Sequence, residues 1–294
     1  MILGYIQAFL YVLFMSVSLI WLDDLGSSYN NVAFMLLVTT FITALAFNVA
    51  NFKGLKRSYL AICHDFTTWL KMSICISLMW IGTYYGTIFG SPILAIVLSI
   101  LGEALFASIY DKKILNSILS IIMLFLAIFA FYQENMIPII VSIFTGIIIF
   151  IYSNISEKFA RNNKLSSLDI LSTRFWLLLI GCIVYFLIFK AKVPVAAYSI
   201  HTCLALLISL VSVAFLNMII PIFLSQSSVL RIGAINNAYI MTLTPVVVFI
   251  LQWIFLGTLS IYIFLICLIT TLWLNKGNYK NYIRFMSAAL SSLK

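Results

Sequence analysis

Apolar residues fall in ten stretches of about 17 to 27, separated by short polar connectors. Each can cross a bilayer, because about 20 residues rising 1.5 Å apiece cover a hydrocarbon core of about 30 Å. The pattern predicts spans over 2–22, 31–51, 66–88, 90–110, 114–132, 137–156, 168–189, 199–225, 232–256 and 259–275. The runs are continuous and do not alternate, so they read as helices and not as the strands of a closed barrel. Residues 2–22 are expected to remain as a span. They are too long for a signal h-region, lack a basic start, and end in Asp23-Asp24 where cleavage would need small residues. In the final stretch, 278–294, Tyr279, Tyr282, Ile283, Met286 and Leu290 stand at helical spacing with Lys280 and Arg284 interleaved. Two readings stand there: a short helix lying on the membrane surface, or a frayed basic tail.

Composition agrees with the pattern. Of 294 residues, 64% are hydrophobic and 9% charged, and mean hydropathy is +1.16. A soluble domain is normally about a quarter charged. Ten spans leave almost no chain for a soluble catalytic domain, so the expected fold is an all-α integral membrane protein.

The formal charge of +9 changes the picture through its distribution. An even number of spans puts both termini on one side. If that side is the cytoplasm, the inner loops hold Lys53, Lys56, Arg57, Lys112, Lys113, Lys158, Arg161, Lys164 and Arg231. The tail adds Lys276, Lys280, Arg284 and Lys294, and inner helix ends add Lys71 and Arg174. That is 15 of 17 basic residues, against Lys190 and Lys192 outside, alongside Asp23, Asp24 and Glu134. The positive-inside bias predicts cytoplasmic termini and makes the charge a lipid-facing feature, with no nucleic-acid partner implied. Low Gly and Pro, abundant Ile, Asn and Ser, and the loop bias suggest a bacterial inner membrane. Lys71 and Arg174 lie within about two turns of the inner helix ends and are expected to snorkel to the headgroups. Cys63, Cys75, Cys182, Cys203 and Cys267 lack CxxC spacing and read as small hydrophobes, with no disulfide or metal site indicated. His64-Asp65, before the third span, reads as a solvated helix cap.

Span 4 and its approach, from Gly90-Ser91-Pro92, and span 9, from Ile232-Gly233-Ala234, share a small-residue start and align Leu101 with Leu243 at an offset of 142 residues. The offset also sets Glu103 opposite Pro245. Five spans per half is an odd number, so a second half must be inverted relative to the first. The chain then divides into a first repeat over 1–134, an inverted repeat over 135–277 and a tail over 278–294. Inverted repeats build two alternating gates around one midplane site in many secondary transporters.

Span 9 and its exit carry Gly233-Ala234-x-x-x-Ala238, Leu243-Thr244-Pro245-Val246, then Phe255-Leu256-Gly257 before Leu259-Ser260. These features resemble the drug/metabolite transporter superfamily, in its EamA-like ten-helix branch. There a small-residue start, a mid-helix Leu-x-Pro and an exit Leu-Gly-Glu recur. Length, span count and cytoplasmic termini extend the resemblance over nearly the whole chain. Thr258 stands in place of the exit Glu, and Glu103 and Tyr110-Asp111-Lys112 replace the first-half counterparts. The resemblance implies transport of a small metabolite through a cavity lined mainly by helices 1, 3, 4, 6, 8 and 9.

Few ionisable groups lie deep in a span. Glu103 sits roughly 4–5 Å inward of the middle of its helix. An unpaired carboxylate there costs at least a few kcal/mol, so the group must be protonated, paired or facing a wet cavity. It can carry a proton or hold a cationic nitrogen; equally, a neutral carboxyl can tie neighbouring helices together. Polar and aromatic residues also form stripes at spacings of three, four and seven. Span 1 aligns Gln7, Tyr11 and Ser18; span 3, Ser73, Ser77, Trp80 and Tyr84; span 6, Ser142, Thr145, Tyr152 and Ser156. Span 9 offers Asn236, Asn237, Thr242 and Thr244. The candidates for substrate binding or coupling are Glu103, Trp80, Tyr84, Ser77, Asn236, Asn237, Thr244, Tyr152, Gln7 and Tyr11. A Ser or Thr in such a stripe also serves as interhelical glue, and Tyr84 has a second reading in the outer aromatic belt. Pro245 removes a backbone donor in mid-span and is either a static kink or a hinge; Asn217 and Pro221 do the same in span 8.

The expected function is secondary active transport of an amino acid or related polar metabolite, in the export direction, by alternating access and coupled to protons. Alternatives are an importer of a charged metabolite such as S-adenosylmethionine, and a non-transporting assembly subunit. An enzyme is not expected. The eight acidic residues and two histidines do not cluster beyond Asp23-Asp24, and no nucleotide-binding loop occurs. No cofactor is implied. The implied partners are a small-molecule substrate, protons and lipids, with a homodimer left open.

Overall fold

The computed structural model describes residues 2–29, 31–110, 112–132, 135–189, 200–257 and 260–275. Every regular element among them is helical: α1 (Ile2–Tyr29), α2 (Val32–Ala50), α3 (Leu55–His64), α4 (Phe66–Phe89), α5 (Pro92–Tyr110), α6 (Ile114–Ala130) and α7 (Met136–Asn163). There follow α8 (Ser167–Arg174), α9 (Trp176–Phe189), α10 (Ile200–Val213), α11 (Ile220–Ile232), α12 (Ala234–Met241), α13 (Thr244–Leu256) and α14 (Ile261–Asn275). Seven rods among the described residues are long and apolar enough to cross a membrane: α1, α2, α4, α5, α7, α8 with α9, and α10 with α11. Helices α6, α13 and α14 are shorter and equally apolar.

The packing is that of a bundle whose solvent is lipid. Phe41, Leu45 and Val49 on α2, Phe125 and Phe129 on α6, and Leu187 and Ile188 on α9 all face outward, each more than half exposed. Water would penalise such a surface; acyl chains do not. Inside, Leu19, Met72, Ile76, Leu94, Leu98, Leu101 and Phe159 join one buried apolar cluster. Small and hydroxylated side chains sit between the helices. A Cβ on Gly102 would strike the backbone of Ile143, and one on Gly146 would strike Ser99 and the Glu103 nitrogen, so α5 and α7 touch backbone to backbone. Ser99 Oγ donates to the Ser142 carbonyl at 3.0 Å across the same seam. Small residues at such seams replace the hydrophobic driving force that lipid removes. The chain is an all-α, multi-pass membrane protein.

The predicted spans track the helices, with three physical differences. First, α1 runs on through Asp23-Asp24 to Tyr29, and α7 runs on to Asn163. Second, three predicted spans are interrupted. The seventh bends at Phe175 between α8 and α9, and the ninth breaks at Thr242-Leu243 between α12 and α13. The eighth carries a π-helical turn over Ala214–Ile219, just before Pro221. A proline ring excludes the carbonyl four residues earlier, and one wider turn relieves the clash. Third, Pro245 stands in the first turn of α13, so the ninth span is discontinuous where a kink was expected. Gly233 and Gly257 take positive φ of 85° and 67°, closing α11 and α13 in backbone conformations that side chains disfavour. Asp65 caps α4, its Oδ1 accepting from the Thr68 nitrogen at 3.3 Å. The tail over 278–294, together with Asp111, Glu134, Lys190, Lys192 and Thr258, lies outside the described residues.

At one end of the bundle α2, α3 and α8 are clasped together. Asp169, fully buried, accepts from Ser58 Oγ at 3.0 Å, Asn51 Nδ2 at 3.3 Å and Ser166 N at 2.8 Å, and forms an ion pair with Arg57. Ser166 and Asp169 make a reciprocal capping box at the start of α8.

Candidate functional site

A cavity of about 90 Å³ lies among α1, α4, α5, α7, α8, α11 and the α12–α13 break. The elements deliver its polar groups one by one. Close α5–α7 packing carries Glu103, 9% exposed, to the wall. From α4 comes Trp80, 2% exposed, its ring edge-on to Tyr84 with centroids 6.1 Å apart. Tyr11 enters from α1, Tyr152 and Ser156 from α7, and Thr244 from the first turn of α13.

The bend at Phe175 supplies the group that the sequence analysis misplaced. Arg174 does not snorkel to the headgroups: it is 2% exposed and lines this cavity. At this break two carbonyls of the last turn of α8 accept from side chains of neighbouring helices. Asn48 Nδ2 meets that of Ser172 at 2.9 Å, and Trp69 Nε1 that of Thr173 at 3.2 Å. The arginine at this fixed helix end has its guanidinium over the Tyr152 ring at 5.2 Å and the Phe175 ring at 5.0 Å. Each such face offsets up to about 2 kcal/mol of the burial of a cation. Nη1 donates to Gln226 Oε1 at 3.3 Å, and the same oxygen accepts from Tyr152 Oη at 3.2 Å and Ser156 Oγ at 3.1 Å.

Among the described residues, Glu103 and Arg174 form no ion pair with each other or with another side chain. Four further nitrogens of cavity-lining residues are buried and lack hydrogen-bond partners: Trp80 Nε1, Arg174 Nε, Asn217 Nδ2 and Gln226 Nε2. A buried unmet donor costs about 1–3 kcal/mol. Such a set is expensive to maintain for packing alone.

Of the ten candidates named from sequence, Glu103, Trp80, Tyr152, Tyr11 and Thr244 line the cavity. The other five do not. Tyr84 is fully buried and donates to Thr39 Oγ1 at 2.9 Å, which places it in the helix interface and not in an aromatic belt. Ser77 back-bonds to the Ser73 carbonyl at 2.7 Å, and Asn236 to that of Ile232 at 2.7 Å. Asn237 is 2% exposed with its Nδ2 3.4 Å from Met241 Sδ, and Gln7 is buried one turn before Tyr11. Pro245 follows the lining residue Thr244 at the discontinuity. Residues that sequence reasoning missed as site members are Arg174, Gln226, Ser99, Ser153 and Ser225; Asn217 was noted only for its kink. Ser18 Oγ, which donates to the Met15 carbonyl at 2.9 Å, also approaches Asn217 Oδ1 at 3.2 Å. No group of three His, Cys, Asp or Glu side chains among the described residues can hold a metal ion. A scan against protein-family models finds no match, and a search of curated proteins finds no similar sequence.

Proposed function

We propose that this chain is a secondary active transporter, moving an amino acid or related small polar metabolite across a membrane by alternating access. One observation carries the reading: a bundle with a lipid-compatible exterior encloses a cavity that presents an acid and a base, with no ionic partner for either among the described residues. A structural subunit gains nothing from unpaired buried charge, which destabilises a fold by several kcal/mol. A carrier gains a site that only a polar solute completes. The discontinuity between α12 and α13, with Met241 and Thr244 on the cavity wall, is the kind of broken helix that lines transporter sites near the bilayer midplane.

In this reading the ten apolar segments are ten spans in two inverted repeats, as in the drug/metabolite transporter superfamily that the Leu243-Thr244-Pro245 region resembles. Both termini lie in the cytoplasm of a bacterial cell, and the direction is export. Glu103 is the coupling group, holding a proton in one half of the cycle and the substrate nitrogen in the other. Trp80, Tyr11 and Tyr152 supply apolar walls with polar edges.

Flux into proteoliposomes tests the proposal. Purified protein is expected to move labelled amino acids when a proton gradient is imposed, and Glu103→Gln is expected to abolish proton dependence while thermal unfolding stays within a few degrees. Absence of flux for every solute would return the chain to the structural-subunit reading. Unchanged proton-driven flux in the variant would remove Glu103 from the mechanism.

A further inference from the structure

Glu103 aside, the unmet polar atoms around the cavity are all of one kind. Buried atoms without partners on lining residues are Trp80 Nε1, Arg174 Nε, Asn217 Nδ2 and Gln226 Nε2, every one an N–H donor. The assignment at Gln226 is forced by chemistry. Arginine only donates, so the amide oxygen must face Arg174 Nη1, at 3.3 Å, and the amide nitrogen must point elsewhere. Arg174 thus spends Nη1 on Gln226 and keeps its Nε edge, the side of a guanidinium that takes two oxygens of one carboxylate in parallel.

We propose, resting on the transport reading, that Arg174, Gln226 and Asn217 form the subsite for a carboxylate of the transported solute. Arg174 is the specificity-determining cation there. The residues are 2%, 4% and 0% exposed, so the donors are aimed by packing and not by water. Aromatic faces of Tyr152 and Phe175 hold the guanidinium charged without occupying its hydrogen-bonding edge. The charge balance selects a monoanion. One guanidinium meets one carboxylate, whereas a phosphate dianion would add a second negative charge to a space that Glu103 already faces.

The test uses the full chain in lipid nanodiscs and reads thermal stabilisation by three matched solute sets: the proteinogenic amino acids, their decarboxylated amines and their deaminated acids. Ligand bound to the folded state raises the unfolding temperature in proportion to its affinity. Stabilisation is expected only from solutes that keep the carboxylate. Apparent affinity is expected to fall at least tenfold in Arg174→Gln and to return in part in Arg174→Lys. Gln226→Glu gives a second handle should Arg174→Gln fail to fold. It is isosteric, pairs Arg174 internally, and is expected to keep or raise thermal stability while abolishing stabilisation by carboxylates. The subsite is overturned if amines stabilise as well as acids, if no carboxylate solute stabilises, or if Gln226→Glu responds like the parent. Amines that bind and cross liposomes would leave transport standing without this subsite. Carboxylates that bind through Arg174 but never cross would leave the subsite without transport.

Discussion

Asp169 gathers donors from Asn51, Ser58 and Ser166 while being fully buried, yet its ionic partner Arg57 keeps 59% of its side chain exposed. The two ends of that pair therefore carry unequal weight. An exposed cation contributes about 0–1 kcal/mol, whereas hydrogen bonds to a buried charge contribute about 1.5–3 kcal/mol each. Asp169→Asn is expected to destabilise by about 3 kcal/mol and Arg57→Ala by at most about 1 kcal/mol. Denaturation of both variants in detergent checks the ratio; equal losses would mean that the ion pair, and not the buried network, holds the clasp. Its sequence signal was present in Ser166-x-x-Asp169, the spacing of a capping box at a helix start. Glu103 was legible because an acid inside an apolar run has few tolerable surroundings. Arg174 was not. Its distance from the helix end permits an outward reach, and only the bend at Phe175 and a Gln226 that lies 52 residues away turn it inward.

Helices α5 and α7 depend on what is missing from their seam. At Gly146 an added Cβ would come within 2.7 Å of the Ser99 carbonyl carbon and 2.8 Å of the Glu103 nitrogen, closer than real side chains approach. Gly146→Ala must push α5 away, and overpacking of this kind costs about 1–3 kcal/mol. The expected result is a lower unfolding temperature together with weaker solute binding, because the displaced helix carries Glu103. Gly181→Ala, with nothing within 4 Å of the added carbon, is the control expected to change neither. The α10–α11 rod shows why a helical stripe drawn from sequence can miss site residues. Asn217 lines the cavity, and the next lining residue is Ile222, five positions on, followed by Ser225, Gln226 and Val229 at ordinary helical spacing. A constant period of 3.6 carries Asn217's face to residues 221, 224 and 228 instead. The π-helical turn takes up the odd residue.

At the scale of the molecule, hydropathy made the helical bundle readable because lipid demands long apolar runs and closed backbone hydrogen bonding. It left the interruptions unread, since a bend, a wide turn or a break changes no residue's polarity. Orientation is open to a direct measurement. Cys63 at the end of α3 is exposed, whereas Cys182 and Cys267 are buried. In a variant retaining Cys63 alone, a membrane-impermeant maleimide is expected to label inside-out vesicles and to spare intact cells. The reverse pattern would place the basic loops outside. The wide turn of the long rod has one more consequence. Excise a single residue between Ala214 and Ile219 and the hydropathy profile would scarcely register the loss. Nor would the cavity: the wide turn would close to an ordinary one, and Gln226 would stay on the side of the rod that faces Arg174. The same excision between that turn and Gln226 would roll the amide by about 100°, so the wide turn is where a cousin of the chain can drop a letter and still fit the same key.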